Sequence, residues 1–371
     1  MRIRRLLLED FRSYGRADLT LSPGLTAFVG PNGAGKTNLL EAVHVLARGD
    51  SPRARDEAEM VRWGAAMARA AAECVRADEV VRIETLLFSP TEGERRRPRR
   101  YLIDGAGKRA EDALGRIVVV AFFPEDVDLL TDAPTARRRY LDAMIGQVEP
   151  RHRSNTREYQ RVVQQRNALL RALRDEQAEP EHQLDFWDGE LCRLAAAISL
   201  RRISAVHEIQ QPFRDAIERW SGEHVVEVAY TSAAEGETES ERVSSYRGLV
   251  EEKRDKELWQ GATLVGPHRE DLAVTSGGRD LPSFASRGEQ RGVVLALKIA
   301  EAAWLLERTG TTPVFLLDDV LSELDPERRQ RLLDALPADA QALLTSALPA
   351  GLPPRLAEGA TVVPVSRERS R

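Results

Sequence analysis

The octapeptide Gly30-Pro31-Asn32-Gly33-Ala34-Gly35-Lys36-Thr37 constrains this chain more than any other segment. It fills every fixed position of the pattern G-x-x-x-x-G-K-[ST]. An apolar run at 25–29 precedes it, and apolar residues at 39, 40, 43 and 46 follow at helical spacing. Strand, glycine loop and helix in that order turn backbone N–H groups inward around phosphate oxygens. The positive end of the helix reinforces the same field. In this pattern Lys36 reaches the β- and γ-phosphates and the Thr37 hydroxyl ligates Mg2+. Gly30, Pro31, Asn32, Gly33, Ala34, Gly35 and Asn38 complete the cradle. A chance Gly-rich turn would lack the strand before and the helix after.

A second motif lies near the other end of the chain. Val314-Phe315-Leu316-Leu317 is a continuous apolar run, as in a sheet covered on both faces, and it ends in Asp318-Asp319. Beside a phosphate loop, Asp318 at a strand end can hold Mg2+ directly or through water. The adjacent Asp319 can polarise an attacking water. Standing alone, the same pattern also describes a solvated Asp that closes a turn.

Residues 286–290, Ser-Arg-Gly-Glu-Gln, open a long helical pattern that runs to Arg308. Ser286 and Gly288, with Gln290, offer an anion site aimed away from the chain's own phosphate loop; an ordinary helix cap is the alternative. Phosphate loop, Ser-x-Gly-Glu-Gln, apolar-Asp-Asp and Ser322-Glu323-Leu324-Asp325 follow the order of an ABC-type ATPase. About 250 residues separate the first two motifs, which suits a head domain with an inserted arm.

The remainder of the chain agrees with that division. Runs at 3–8, 19–21, 80–88 and 116–123 read as strands. From about residue 135 the pattern turns helical, with Tyr159, Val162, Val163, Leu169, Leu170 and Leu173 near one face. Pro212 is expected to break or kink the helix over 188–220, and the polar stretch 231–243 reads as a mobile loop. The expected fold is α/β: a P-loop ATPase head built from residues 1–130 and 262–371, with a mainly helical arm at 131–261.

No stretch of 18 apolar residues occurs, so no bilayer span is expected, and the apolar stretch at residues 6–8 is too short for a secretory signal. The two cysteines, Cys74 and Cys192, fit neither a disulfide framework nor a metal cluster, which points to a reducing cytoplasm.

The motif series resembles the RecF family of bacterial recombinational-repair proteins, relatives of the SMC-like ATPases. The likeness rests on residues 8–14 (Leu-Glu-Asp-Phe-Arg-Ser-Tyr), 33–42, Phe123-Pro124-Glu125-Asp126, 134–142, 266–271 (Gly-Pro-His-Arg-Glu-Asp), 286–291 and 316–325. It covers nearly the whole chain. It implies an ATP- and Mg2+-dependent protein that binds double-stranded and gapped DNA and works with RecO and RecR to load RecA. It implies an ATP-dependent homodimer, with each ATP between one copy's phosphate loop and the other's Ser286, Gly288 and Gln290. Lys36 and Asp319 would act in hydrolysis, and Thr37 and Asp318 would hold the metal. The base position is commonly Glu in ABC ATPases; the shorter Asp319 suits a weak, DNA-stimulated ATPase acting as a timer.

A transporter ATPase subunit would carry a glutamine loop and a switch His. Neither is apparent: Phe123–Asp126 stands where the former falls in the order, and Thr345 or Ser346 replaces the latter. A structural chromosome-organising ATPase would need long heptad arms. A small-molecule kinase would leave residues 286–290 unexplained. His268 is either a catalytic residue or a turn histidine. Arg12 either contacts nucleotide or stays an exposed turn arginine.

Net charge is −5, and 49 of the 54 basic residues are Arg, so clustering matters more than the total. Seven basic residues face only Asp104 within 95–109, and ten Arg face three acids within 137–174. Such runs give salt-sensitive DNA contact or, equally, a solvated helix face. Reversing the charge of Arg95, Arg96 and Arg97 is expected to weaken DNA binding while ATP binding survives. The check is DNA affinity at several salt concentrations; an unchanged affinity contradicts the assignment.

Overall fold

A computed structural model describes every residue except 77–78, 91–98, 176–181, 222–225, 348–359 and 367–371. Arg95, Arg96 and Arg97 therefore lie outside the described residues. The chain forms two compact units. The first holds Met1–Val127, Asp215–Gly222 and Arg291–Arg371; the second holds Asp128–Arg214 and Glu223–Gln290.

The first unit contains two sheets. One is antiparallel and ordered β2 (Tyr14–Thr20), β1 (Arg2–Phe11), β4 (Met67–Arg76), β5 (Glu79–Phe88), β6 (Arg100–Ile103), β7 (Ala106–Lys108). Ile3, Leu6, Leu8 and Phe11 of β1 point inward. Their alternation skips twice: between Ile3 and Leu6, where the ladder to β4 shifts register, and between Leu8 and Phe11, where Asp10 adopts φ 47°. The other sheet is parallel throughout, ordered β14 (Thr361–Pro364), β3 (Leu25–Val29), β13 (Ala342–Ser346), β12 (Val314–Leu317), β8 (Val119–Phe122). All four residues of β8 and of β12 are buried, as their unbroken apolar sequence requires. Helix α1 (Lys36–Arg48) shares one core with both sheets: its Leu39, Leu40, Val43 and Leu46 join β1, β4, β8, β12 and β13 side chains. Each such aliphatic residue stabilises by roughly 1.5–3 kcal/mol on burial. The short α2 (Ala110–Ala113) precedes β8, and α8 (Pro326–Asp334) follows β12, N-capped by Asp325.

The second unit is mainly helical: α3 (Pro134–Val148), α4 (Pro150–Arg174), most of α5 (His182–Ser221) and α6 (Glu239–Gln260). It also carries an antiparallel sheet ordered β11 (Arg279–Asp280), β10 (Asp271–Ser276), β9 (Val226–Thr231). Residues 262–290, grouped with the C-terminal segment in the sequence, belong to this unit because β10 pairs with β9. The last long helix, α7 (Arg287–Thr309), begins here and continues into the first unit.

Two local expectations change. Helix α5 runs on through Pro212 without a break. The polar stretch 231–243 is not a free loop: Thr238 caps α6 in a reciprocal capping box with Glu241, which accounts for the Thr and Glu at that spacing.

The inward stripe of α4 reads Tyr159, Val162, Arg166, Leu170, so an arginine sits where the spacing calls for an apolar residue. Arg166 is fully buried and donates to Asp188 (2.7 Å), Glu257 (2.6 Å) and Thr263 (3.0 Å). Glu257 is fully buried too. Arg166→Met is expected to destabilise the second unit by about 3–5 kcal/mol, because Glu257 is left charged without a counterion. Urea unfolding measures this, and adding Glu257→Gln should recover part of the loss.

Candidate functional site

The sheet order brings three strand ends together: β13 lies between β3 and β12. β3 runs into the glycine loop, β12 into Asp318-Asp319, and β13 ends at Thr345-Ser346. The Gly30 N–H donates to the Ser346 carbonyl at 3.3 Å, which ties the loop to the sheet edge. Two glycines are required by close approach. A Cβ on Gly30 would stand 2.0 Å from the Val365 carbonyl oxygen, and one on Gly35, at φ 102°, 2.7 Å from Ser13 Oγ.

Lys36 opens α1 and is buried, with its ammonium folded onto the Gly30 and Pro31 carbonyls at 2.7 and 3.1 Å. The Thr37 hydroxyl donates to Asp318 Oδ1 at 3.0 Å, and the Thr345 hydroxyl donates to the same oxygen at 2.7 Å. Thr345 Oγ1 also accepts the Asp319 N–H at 2.9 Å. Of Thr345 and Ser346, the two residues offered in place of a switch His, Thr345 is the one whose hydroxyl bonds Asp318 and the turn after it.

The two acids face different surroundings. Asp318 is 3% exposed, and burial holds its carboxyl above the ordinary carboxylate value. The two threonine hydroxyls and Arg53 oppose that shift, whereas neighbouring Asp319 adds to it. Asp319 is exposed and adopts φ 51°, a left-handed turn that directs the chain away from the strand. A desolvated carboxylate flanked by a hydroxyl and a second acid fits a hard divalent cation. A buried ammonium on a glycine loop at a helix start fits a polyphosphate.

The hairpin between β1 and β2 braces this loop. Asn38 Nδ2 donates to Ser13 Oγ at 2.9 Å, and the Tyr14 hydroxyl donates to the Gly35 carbonyl at 3.1 Å. The Asn38 amide thus holds the hairpin. Arg12 is not an exposed turn residue: it makes a bidentate pair with fully buried Glu41 at 2.9 and 2.6 Å and donates to the Glu59 carbonyl. Asp126 accepts the Phe123 N–H at 2.8 Å and the ammonium of buried Lys298 in α7 at 3.0 Å. The Phe123–Asp126 segment is therefore a charged brace between β8 and α7.

In the second unit, Ser286 and Glu289 form a reciprocal cap at the start of α7. Glu289 accepts the Ser286 N–H and hydroxyl, both at 2.7 Å. Ser286 and neighbouring Phe284 are exposed, and Gly288 is partly so. Gln290 is buried, with its amide donating to the Pro282 and Ala285 carbonyls, so it shapes the loop before the helix.

His268 is a structural residue. Its Nε2 faces the Thr263 carbonyl and must carry the proton, which leaves Nδ1 to accept from the Tyr159 hydroxyl at 2.7 Å. Burial lowers its pKa to about 4, so the ring is neutral at physiological pH. The segments 134–142 and 266–271 hold each other in the same way. Arg137 pairs with Asp271, Asp142 with Arg202, and buried Glu270 accepts from Ser199, Ser232, Tyr230 and Tyr246.

With this geometry in hand, known proteins are informative. The family described as RecF/RecN/SMC N terminal domain matches residues 2–350. A DNA replication and repair protein RecF from Roseiflexus castenholzii is 40% identical, with 93% of each chain covered. The chain belongs to the RecF family. A second RecF, from Acidothermus cellulolyticus, is 39% identical over 94% of each chain. The solved recombination mediator protein RecF with ATPrS superposes with a TM-score of 0.87 at 26% identity, covering 95% of this chain and 94% of that one. An Smc head bound to the C-winged helix domain of ScpA shares the fold, with a TM-score of 0.53 at 15% identity, 99% of this chain and 95% of that one being covered. The architecture is thus the ABC-type ATPase head of RecF and SMC proteins, with a helical arm. No described helix is long and apolar enough to cross a membrane.

Sequence reasoning missed Lys298, Glu41 and Gln341. Lys298 and Glu41 are charged residues on otherwise apolar helix faces, a visible but non-specific signal. Buried Gln341 bonds the Ile3 backbone in both directions at 2.7 Å, and no local pattern announces it.

Asp318 yields a pH prediction. Its folded-state carboxyl holds its proton more tightly than the unfolded one, so stability falls as pH rises from the ordinary carboxylate value through the raised one. Asp318→Asn in the ligand-free chain is expected to raise the thermal midpoint at pH 8, with the gain shrinking on acidification. A midpoint lowered at every pH refutes this.

Proposed function

We propose that this RecF-family chain is an ATP-gated DNA-binding protein of recombinational repair and replication restart. The observation that carries the reading is the meeting of Thr37, Asp318 and Thr345 on one carboxylate oxygen, beside a lysine-bearing glycine loop. That arrangement has no evident use without a polyphosphate and its cation. Relatives solved as RecF-ATP and RecF-ATPrS support ATP as the ligand.

In this reading the N–H groups of residues 30–38 and the Lys36 ammonium hold the phosphates. Thr37 and Asp318 hold Mg2+, which supplies charge neutralisation at the phosphoryl oxygens. On ligand entry, Lys36 exchanges the Gly30 and Pro31 carbonyls for phosphate oxygens. Asp319, solvent-facing at the turn, orients the attacking water and accepts its proton. Its side chain is one methylene shorter than Glu, which suits slow turnover and a timing role.

Ser286 and Gly288 of a second copy meet the γ-phosphate, the Ser286 hydroxyl leaving its cap on Glu289, and Gln290 keeps that loop in shape. ATP binding then favours the dimer because groups of both copies neutralise one phosphate charge, and hydrolysis removes that preference. Double-stranded and gapped DNA is the nucleic-acid ligand. RecO and RecR are the partners through which RecA is loaded, in the cytoplasm. The RecFOR pathway named for the solved relative supports this placement.

Sedimentation of the full chain with ATP and with ADP tests the gate. ATP should shift the chain to a dimer, ADP should not, and Lys36→Met or Ser286→Arg should each lower the ATP-dependent dimer fraction at least tenfold. Dimers that ignore nucleotide, or variants that dimerise normally, refute it.

A further inference from the structure

Six of the ten arginines of residues 137–174 fall into two sets in the fold. Arg137 and Arg166 neutralise carboxylates inside the second unit, and Arg138 donates to the Glu270 carbonyl. The second set lies on the outer face of α4. Arg157, Gln160, Arg161, Gln164 and Arg171 are all exposed, on the side opposite the buried Tyr159, Val162, Arg166 and Leu170. At 100° per residue they fall within one sector of the helix. The stripe from Arg157 to Arg171 is about 21 Å long at 1.5 Å per residue.

An ordinary solvated face mixes charge signs, and α6 does so, exposing Glu251, Glu252, Asp255 and Lys256. The α4 stripe does not. No acidic residue occurs between Glu158 and Asp175. Glu158 stands at the margin near Arg193 (3.9 Å), and Asp175 pairs with Arg174 (2.8 Å). Neither Arg161 nor Arg171 has an acidic partner among the described residues. Guanidinium and amide groups spaced along three to four turns present hydrogen-bond donors to a row of acceptors. A nucleic-acid backbone is such a row, with one negative charge per about 1.7 Å of duplex axis.

We propose that the outer face of α4, through Arg157, Arg161 and Arg171, is a phosphate-backbone docking surface for duplex DNA. It rests on the reading of the chain as DNA-binding and names the surface that the reading leaves open. Contact is sequence-independent, because the row of charges matches phosphates and carries no base code. The arm thus holds DNA through surface charge, whereas the arginines beneath that surface hold the arm together.

The test compares the full-length wild type with Arg157→Gln/Arg161→Gln/Arg171→Gln and with the triple Lys variant. Anisotropy of a labelled duplex of about 40 bp is followed with ATP over a range of KCl concentrations. Losing three contacts should reduce the slope of log affinity against log salt by about 2–3, at about 0.9 per phosphate contact. Affinity at low salt should fall at least tenfold. The Lys variant should keep the wild-type slope, and ATP-dependent sedimentation should be unchanged in both. A wild type that binds no duplex sinks the parent reading and this surface with it. A wild type that binds while the Gln variant keeps its slope sinks this surface alone. Loss of binding to vesicles of anionic phospholipid, with DNA binding intact, reassigns the stripe to a membrane and also overturns the proposal.

Discussion

A single desolvated carboxylate organises the candidate site. Asp318 sits at the end of a fully buried strand, and two hydroxyls, Thr37 and Thr345, converge on one of its oxygens. A carboxylate taken out of water is costly unless it finds donors or a cation. The parallel sheet meets that need by placing β13 between β3 and β12, so that β13 holds the glycine loop through the Ser346 carbonyl and the acid through the Thr345 hydroxyl. The remaining cost is what holds the Asp318 carboxyl above the ordinary carboxylate value.

Around this centre the protein uses arginine and lysine as internal cross-links. Arg12 joins the β1–β2 hairpin to α1 through Glu41, Arg48 joins α1 to α7 through Glu301, and Lys298 joins α7 to the turn after β8 through Asp126. Asp318 N–H in turn donates to the Phe122 carbonyl of β8. β12 is thus linked to α7 through β8 and the Asp126 carboxylate that follows it. Buried ion pairs contribute little net stability compared with apolar packing, but losing one partner is severe. Their use here is positional: they fix where the hairpin, the long helix and the strand ends stand.

The second unit follows the same rule. Motif residues that suggest catalysis by type, such as His268, Asp142, Glu270 and Arg137, are saturated by one another and by tyrosine and serine hydroxyls. A neutral, doubly bonded histidine cannot shuttle protons. Their fixed order in the chain records a packing requirement. On the outer face of α4, by contrast, Arg161 and Arg171 have no acidic partner among the described residues.

The sequence alone determined the glycine loop, the strand ending in two aspartates and the long helix opening at residues 286–290. Each is local, because a loop that approaches phosphate needs glycine and a two-sided strand needs an unbroken apolar run. It told Asp318 from Asp319 by order along the strand alone; that one is desolvated and the other exposed depends on what the sheet wraps around them. It could not tell Arg166 from Arg161, five residues apart on one helix, because burial depends on α5 and α6 supplying Asp188 and Glu257. Nor could it place residues 271–276 beside β9, since strand pairing is a long-range choice. Tertiary structure decided these points, because desolvation and counterions are properties of the packed interior.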